Sequence, residues 1–457
     1  MMIWLFLSTI FVFMASIRAE SDPKGTLLPP QVHAFVYLWY GEPITDNRYL
    51  HWNHEVLPHW EERVNAQFPE VGKRFEPPHN IHSPYYPLHG PYSSNDAATL
   101  QRQFKEMHEA GIEVAVVSWW GQRDKEYATD TQGVNTDLAV ANFLEQADKF
   151  GEIKVALHLE PYHSRSVESV GDDIEYVHRM YGHHSSLLRS TDNRLVFYVY
   201  DSYHISPMYW ARLLKDTGDI TMRGTSTDSV MIGLWLHHHH GRDLKESGFD
   251  GVYTYFGTDG FSYGSTTTNW MSMCKFAAAQ NMLCDISVGP GYNDSLIRPW
   301  NAHNSRARGE GQYYSRMWNK ALHALPQVVS ITSYNEWGEG TQIEPAMSYY
   351  LDRVKEKEHR LAKQADRRAD SAEFSGKAAY DSTTQDATEK MLEEAKDPAF
   401  RALHERGQEN DVKLARHFDD YGRAGPRLYL DLTRDFGAKF KAQQPEGGKM
   451  NMEEKEL

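Results

Sequence analysis

The sequence predicts a (β/α)8 barrel. Eight short runs rich in β-branched and aromatic residues recur along the chain, and amphipathic stretches with helical periodicity separate most of them. Aromatic and polar residues gather at the carboxyl ends of these runs, which is where barrel enzymes assemble their sites. A doubly wound open sheet is the runner-up. The glycine-rich phosphate fingerprint of its nucleotide-binding version is absent after the first strand.

Each element follows from its local pattern, and 457 residues suffice for one large catalytic domain. The predicted strands are Ala34–Trp39, Glu113–Trp119, Lys154–Glu160, Arg194–Asp201, Ser229–Leu236, Gly251–Phe256, Met282–Val288 and Val328–Tyr334. The predicted helices are Ala97–Ala110, Leu138–Phe150, Asp173–Met180, Pro207–Leu214, Trp270–Gln280 and Tyr313–Leu325. The long segment from Gly41 to Asn95 follows the first strand, and we expect it to shape the binding cleft.

The composition divides the chain further. Residues 351–422 are rich in Lys, Glu, Arg, Asp and Ala and have almost no large apolar side chains, so we expect a solvated helical or disordered insertion. Core-like residues return at Leu428–Leu432. The predicted organisation is a signal segment at 1–19, a barrel at 30–350, the insertion at 351–422, a return packing on the barrel at 423–440, and a charged tail at 441–457.

The N-terminus is apolar from Ile3 to Ile17 and ends at Arg18. Such a run suits a signal peptide or an uncleaved signal-anchor, and either directs the protein into the secretory pathway. We therefore expect a protein of the secretory pathway, either held by a single N-terminal anchor or released by cleavage of the segment.

Charge and aromatic content limit the partners. The formal net charge of -15 excludes the basic stripe that a nucleic-acid partner requires, and it fits a neutral ligand such as a glycan. Aromatic residues make up 12% of the chain, with 12 Trp and 26 Tyr. Several of them lie at strand ends, where core packing alone would not place them.

The chain has 2 cysteines, Cys274 in a predicted helix and Cys284 in the following strand. A disulfide is one outcome, but we expect two unlinked buried thiols. Their spacing matches no metal motif.

The segment from Asn335 to Glu344 carries the strongest functional signal. It follows a predicted buried strand, so Glu336 and Glu339 emerge at a strand terminus between glycines and beside Trp337. Such a carboxylate pair can protonate a glycosidic oxygen and act as base or nucleophile, while flat rings pack on sugar faces. The alternative is one capping and one surface glutamate in an ordinary loop.

Further candidates lie at the other strand ends and in the first loop. The predicted substrate-binding residues are Tyr37, Trp39, Tyr40, His51, Trp119, His158, Glu160, Tyr162, Tyr200, Asp201, Tyr253, Tyr255, Tyr292, Arg298, Asn335 and Trp337. Four of these have alternatives. His158 and Glu160 face one side of their strand, as pocket residues or as a buried structural pair. Asp201 can instead cap the helix near Pro207. Arg298 can hold a ligand oxygen or pair with a glutamate.

The run His237–His240 invites a metal hypothesis. Consecutive residues cannot all point at one ion, and no nearby Asp/Glu pattern completes a ligand set, so we predict no metal site and no cofactor.

With these residues laid out, the chain resembles glycoside hydrolase family 99 over roughly residues 33 to 345, and again near Pro426. The matching blocks are Tyr37–Gly41, His51–His54, His158–Tyr162, Phe197–Tyr203, Gly248–Phe256, Ser287–Tyr292, Ile297–Asn301 and Asn335–Glu344. The family commonly has His where Gly338 stands, and the charged insertion after Tyr350 has no counterpart in it.

The resemblance implies a (β/α)8 barrel that acts inside glucosylated high-mannose N-glycans. Its members release a glucosylated mannose and retain the anomeric configuration. It also implies roles for the pair: Glu336 deprotonates the mannose 2-hydroxyl, which attacks its own anomeric carbon to form a 1,2-anhydro sugar, and Glu339 protonates the leaving oxygen and then activates water. We therefore expect the two pKa values to differ, with that of Glu339 raised. A related glycosidase acting on another α-mannan and an inactive glycan-binding protein are the alternatives.

Overall fold

The computed structural model describes residues 26–348 and 418–443. The predicted signal segment, most of the charged insertion and residues 444–457 of the predicted tail lie outside these ranges. In the described ranges, no helix combines the length and apolarity needed to cross a bilayer.

Eight parallel strands close into a barrel in chain order, which confirms the predicted fold class. They are β1 (Gln31–Val36), β2 (Val114–Trp119), β3 (Lys154–Leu159), β4 (Leu195–Val199), β5 (Ser229–Leu234), β6 (Gly251–Tyr253), β7 (Leu283–Val288) and β8 (Val328–Ile331). Nearly every strand residue is buried, because the interior is filled by side chains and the exterior is covered by helices.

A longer helix follows each strand along the described chain. These helices are α1 (Ala97–Glu109), α2 (Asp137–Phe150), α3 (Val167–Tyr181), α4 (Pro207–Leu214), α5 (His240–Ser247), α6 (Trp270–Ala279), α7 (Gln312–Ala324) and α8 (Leu428–Gln443). The loop after β1 adds the short helices Pro43–Asp46 and Glu62–Asn65, and two 3₁₀ turns span Ser202–His204 and Pro299–Asn304.

Most predicted strands extend one to three residues too far at their carboxyl ends. Asp201 and Tyr255 adopt positive φ angles of 47° and 56°, which end the extended conformation there. Beyond β1, the Asn335 side chain replaces a strand partner: its Oδ1 accepts from the Tyr37 N–H at 2.8 Å and its Nδ2 donates to the Tyr37 carbonyl at 2.9 Å. The chain thus leaves the sheet earlier than the apolar pattern indicates.

Two helices differ from the sequence prediction. α3 begins at Val167 instead of Asp173, because Ser166 caps it and forms a reciprocal capping box with Ser169. α5 was not predicted, because Leu244 is the only large apolar residue in its eight-residue sequence. It packs closely because Gly241 has no side chain: a Cβ there would lie 2.3 Å from the ring of Trp235.

Cys274 in α6 and Cys284 in β7 form a disulfide, with their Cα atoms 5.3 Å apart. The expectation of two unlinked thiols is therefore wrong. The helix packs directly on the strand that follows it, and this brings together two residues that sequence spacing alone could not pair.

The last helix, α8, packs between α1 and α7 and so completes the helical ring. Tyr429, Phe436 and Phe440 are buried, and the Phe436 ring stacks on Trp318 of α7 with centroids 5.8 Å apart. Just before it, Phe418 and Tyr421 are also buried. The C-terminal end of the predicted solvated insertion therefore belongs to the barrel.

Candidate active site

The loop after β8 holds the glutamate pair at the carboxyl end of the barrel. Ser333 Oγ accepts from the Glu336 N–H at 2.7 Å. The Tyr40 hydroxyl donates to the Asn335 carbonyl at 2.9 Å and accepts from the Trp337 N–H at 3.2 Å. The polar groups of Tyr40 and Asn335 are thus engaged with the protein backbone, and they hold this loop in place.

The aromatic residues inside this motif are structural. Tyr334 and Trp337 are fully buried. The Tyr334 hydroxyl donates to Glu106 at 2.7 Å, and Trp337 Nε1 donates to Glu344 at 3.0 Å. Neither ring is exposed in this structure, and the polar edge of Trp337 is bound to protein.

The two glutamates differ in depth. Glu336 is 4% exposed, whereas the Glu339 side chain is 23% exposed and lies 3.2 Å from the Arg298 guanidinium. Arg298 also contacts the buried Asp294 at 3.2 Å. Of its two predicted roles, the structure shows the pairing with a glutamate.

Burial raises the pKa of Glu336 well above its usual range, and the negative charge of Glu339 adds to this rise. Burial also raises the pKa of Glu339, while the Arg298 charge opposes the rise. The expected rise in the pKa of Glu339 is present, and the pKa of Glu336 is raised as well.

A group of tyrosines surrounds the pair. The Tyr37 and Tyr255 hydroxyls are hydrogen-bonded to each other. Burial and the charges of Glu160 and Glu336 raise the pKa of Tyr37, and burial together with Glu339 raises those of Tyr200 and Tyr292. These neutral phenols can donate hydrogen bonds to sugar oxygens.

The Trp39 ring is stacked on two other rings, and one of them is Tyr37, with centroids 4.6 Å apart. The second is His51, with centroids 4.0 Å apart and planes 4° from parallel. His51 Nε2 in turn lies 2.9 Å from Asp130 Oδ2. His51 is thus placed behind an aromatic ring of the site, where it orients Trp39.

His158 lies deeper in the barrel than the aromatic residues of the site. Its Nδ1 is 3.0 Å from Glu160 Oε1, and its Nε2 is 2.7 Å from the Tyr253 hydroxyl. His158 and Glu160 are both buried, so the structure shows the buried His–Glu pair that was the alternative to pocket residues. Glu160 also accepts from Ser118 at 2.8 Å, and its charge raises the pKa of Tyr37 and Tyr200.

Two predicted residues point elsewhere. Trp119 faces the helices, and its Nε1 donates to Asp137 of α2 at 2.8 Å. Ser118 takes the inward position, because successive strand residues alternate in direction. The Tyr162 hydroxyl donates to Asp173 and lies 2.7 Å from Ser169 Oγ, both in α3. In this structure both Trp119 and Tyr162 are held by helices.

Asp201 does not cap the helix near Pro207. It precedes the 3₁₀ turn, while Ser206 occupies the cap position of α4. Burial raises the pKa of Asp201, and the residue adds to the negative charge beside Tyr200.

The four-histidine run has an acidic neighbour that the sequence analysis missed. One ligand atom from each of His239, His240 and Asp243 lies within 4.8 Å of the others. His240 Nδ1, however, accepts two backbone N–H groups at 3.3 Å each, from Leu236 and His237. This places the proton of the neutral ring on Nε2, whereas a metal ligand must offer a lone pair. The group fits a metal poorly.

His82 is a site residue that the sequence analysis did not identify. It is fully buried, and its ring lies beside Gly338. Gly338 is the residue that stands between Glu336 and Glu339 in the sequence. It belongs to an irregular proline- and tyrosine-rich segment of the first loop, where no periodicity indicates which side chains turn inward. The only available signal was the absence of a side chain at Gly338.

Three comparisons place this geometry among known proteins. The sequence model of glycosyl hydrolase family 99 matches residues 28–377. Glycoprotein endo-alpha-1,2-mannosidase from Rattus norvegicus is 42% identical over 338 residues, covering 71% of this chain and 72% of the relative. Glycoprotein endo-alpha-1,2-mannosidase-like protein from Homo sapiens is 41% identical over 336 residues, covering 73% and 70%. The structure of the GH99 endo-alpha-mannosidase from Bacteroides thetaiotaomicron superposes with a TM-score of 0.69 at 31% identity, covering 91% of this chain and 98% of that chain.

Proposed function

Because this chain belongs to glycosyl hydrolase family 99 and is an endo-acting α-mannosidase, we propose that it cleaves inside glucosylated high-mannose N-glycans and releases a glucosylated mannose with retention. The observation that carries the proposal is the pair Glu336 and Glu339 on one loop at the carboxyl end of the barrel. Both pKa values are raised by burial, and a guanidinium holds one carboxylate.

We propose the following division of work. Glu336 takes the proton of the mannose 2-hydroxyl as that oxygen bonds to its own anomeric carbon, and Glu339 gives a proton to the departing glycosidic oxygen. In the second step Glu339 takes a proton from water, and the water oxygen bonds to the anomeric carbon as the bond from that carbon to the 2-oxygen breaks. Glu336 then returns its proton to the 2-oxygen. The protons balance over the two steps, and each glutamate returns to its starting state.

Positioning of the sugar falls to the groups around the pair. Tyr37, Tyr200, Tyr255 and Tyr292 offer hydroxyls, and Arg298 keeps Glu339 in place. Glu160 is a further acceptor for sugar hydroxyls, held by Ser118 and His158. A retaining enzyme with a carboxylate nucleophile needs two carboxyl groups about 5 Å apart. A substrate that supplies its own nucleophile needs a base at the 2-hydroxyl instead, and the deep position of Glu336 suits that role.

We propose a Golgi or other secretory location for the same chain. The apolar run Ile3–Ile17 supports entry into that pathway. The disulfide between Cys274 and Cys284 supports it independently, because such bonds persist in oxidising compartments.

The test is incubation of the purified protein with Glc1Man9 and Man9 N-glycans, with product masses read by mass spectrometry. We expect a glucosylated mannose from the first glycan and a shortened N-glycan as its partner. Proton NMR of the fresh product should show the α anomer first. Cleavage of Man9 to single mannoses, an inverted first product, or no cleavage of either glycan would contradict the proposal.

A further inference from the structure

Three aromatic rings form a cluster at the carboxyl end of the barrel, outside the site already described. His59 and Trp60 belong to the loop after β1, and Trp300 belongs to the 3₁₀ turn after β7. The His59 and Trp60 rings stack with centroids 3.6 Å apart. Trp300 meets them edge to face, with centroids at 4.9 and 5.5 Å. We call these three residues the aromatic platform.

The platform is open to solvent and held in place by the loops that carry it. Trp60 is 79% exposed, more than any other Trp, Tyr or Phe in the described ranges. The Leu57 N–H donates to the Ile297 carbonyl at 2.7 Å, and Trp300 Nε1 donates to the Leu57 carbonyl at 3.3 Å. Single apolar residues are common on protein surfaces, but an exposed Trp supported by two further rings is a preformed apolar surface, and such surfaces mark binding sites.

The platform adjoins the side of the glutamate pair on which Glu339 lies. Trp300 is two residues from Arg298, and Arg298 is 3.2 Å from Glu339. The strand before Glu339, β8, pairs with β1 and β7, whose loops carry the platform. Tyr200 follows β4, which stands across the closed barrel from β8. A sugar chain that runs from Tyr200 past Glu339 therefore continues toward the platform.

The exposure of the pair gives the same direction. Glu336 is 4% exposed, whereas the side chains of Glu339 and Arg298 are 23% and 29% exposed. The site thus opens to solvent at Glu339 and Arg298. An N-glycan is attached to a protein, so the part of it that remains after cleavage must leave the site through an opening. Glu339 acts at the oxygen of that part, and the platform is next along the same surface.

We propose that the aromatic platform binds the sugars on the leaving side of the cleaved bond, with the Trp60 ring stacked on one of them. This deepens the proposed function and rests on it, because Glu339 gives its proton to the oxygen that joins those sugars to the released mannose. Binding far from the reacting atoms holds a long chain in register, which suits an enzyme that cuts inside a glycan. The occupant is uncharged carbohydrate, whose apolar ring faces match an aromatic surface.

The first test removes the exposed ring. We expect Trp60→Ala to raise KM for the Glc1Man9 N-glycan about 5- to 30-fold, as is usual when a large aromatic side chain is removed from a binding surface. Melting temperature should change little, because the residue is exposed. Trp60→Tyr keeps a flat ring and should retain most of the affinity. Ile44→Ala, at a residue of the same loop that is 94% exposed, is the matched control and should behave as wild type.

A short substrate separates binding at the platform from the chemistry. An aryl glycoside of the glucosylated mannose has no sugar on the leaving side, so Trp60→Ala should hydrolyse it with the KM and kcat of wild type. An unchanged KM for Glc1Man9 in Trp60→Ala would overturn the role of the platform while hydrolysis by wild type stands. An equal rise in KM for both substrates would overturn it as well, because the effect would then not depend on the leaving-side sugars.

Failure of the proposed function has a different signature. If wild type cleaves neither N-glycan, that function fails, and the platform is judged by calorimetric titration with the Man9 N-glycan. Weaker binding by Trp60→Ala than by wild type and Ile44→Ala supports the platform. Equal affinities, or no binding by wild type, refute it. A dimer that dissociates in Trp60→Ala while glycan affinity is unchanged, as measured by sedimentation, would assign the platform to a second copy of the chain and also refute it.

Discussion

Glu336 and Glu339 lie three residues apart but meet different surroundings. Glu336 is buried under the first loop, and Glu339 reaches solvent beside Arg298. Burial raises the pKa of both carboxyls; the charge of Glu339 adds to the rise at Glu336, and the Arg298 charge opposes the rise at Glu339. Catalysis by the proposed route requires substrate to place a glycosidic oxygen at Glu339 and a hydroxyl at Glu336.

We predict that Glu336→Gln and Glu339→Gln each reduce hydrolysis by about 100- to 10,000-fold while the fold survives, because each removes a proton-transfer group. A substrate with a good leaving group should partly restore Glu339→Gln, whose lost proton is then less needed, but not Glu336→Gln. Steady-state kinetics with natural and activated substrates measure both effects. Equal rescue of the two variants, or full activity in either, would contradict the assigned roles.

Asp285 should make stability depend on pH. It is buried in the lower barrel, where the Tyr198 hydroxyl donates to it at 2.8 Å, and burial raises its pKa from 3.8 to about 7. Between these values the folded protein keeps a proton that the unfolded chain releases, so the free energy of unfolding falls as the pH rises through this window. One pKa unit corresponds to about 1.4 kcal/mol, so the total is roughly 4 kcal/mol at most.

The measurement compares urea unfolding of wild type and Asp285→Asn from pH 4 to 8. The asparagine keeps the shape and cannot ionise, so the stability advantage of the variant should grow as the pH rises through the window. Asp216→Asn, at an exposed position, should track wild type. A constant difference between wild type and Asp285→Asn across the pH range would show that the carboxyl does not titrate in this window.

At the scale of elements, the strands were predictable because a strand inside a barrel is buried on both faces and reads as a short apolar run. Their carboxyl ends were not, because polar side chains such as that of Asn335 replace the ladder beyond β1. α5 was missed because its buried face consists of His240, Gly241, Leu244 and Ser247, of which only Leu244 is a large apolar residue. The glutamate pair was found because its motif is local in sequence.

Residues whose role depends on a partner far away in the sequence were not predictable in this way. His82 contacts Gly338, which is more than 250 residues away in the sequence. Trp119 was assigned to the site because Ser118, Trp119 and Trp120 follow one another at a strand end. There the sequence does not show which of these side chains point into the barrel. The candidate site was thus predictable at its centre and less so at its supporting layer.

The helix α8 yields a prediction about packing. Phe436 is buried against the Trp318 ring, so Phe436→Ala should lower the free energy of unfolding by about 3–5 kcal/mol. Asp435→Ala, one residue away and exposed, should change it by less than about 0.5 kcal/mol. Guanidinium denaturation followed by tryptophan fluorescence measures both. Equal effects would mean that α8 is not part of the cooperative unit.

At the scale of the whole molecule, the ends of the two described ranges, on either side of residues 349–417, lie close together. Ala346 bridges to Pro87, and Asp419 bridges to Tyr85, two residues away. The described chain therefore stops and resumes at neighbouring points on one loop. A connection between these points need span only a short distance, whatever its length.

We predict that replacing residues 355–412 with a short Gly/Ser linker leaves melting temperature and hydrolysis close to wild type. Few large apolar side chains in this stretch can contribute burial, and the linker ends need not be forced apart. The replacement spares Phe418 and Tyr421, which are buried. A fall of many degrees in the melting temperature, or loss of turnover, would show that the replaced segment packs on the barrel or shapes the cleft.

The helix α8 is far from the barrel strands in the sequence but packs against them as part of the helical ring. The helix is held by side-chain packing on α1 and α7, and Tyr421 donates to the Glu344 carbonyl at 2.6 Å, so its attachment does not depend on an unbroken backbone. A single peptide bond cut between residues 355 and 412 would then leave two fragments that stay associated as one active particle. We expect that the two fragments, expressed separately, would reassemble into the folded protein.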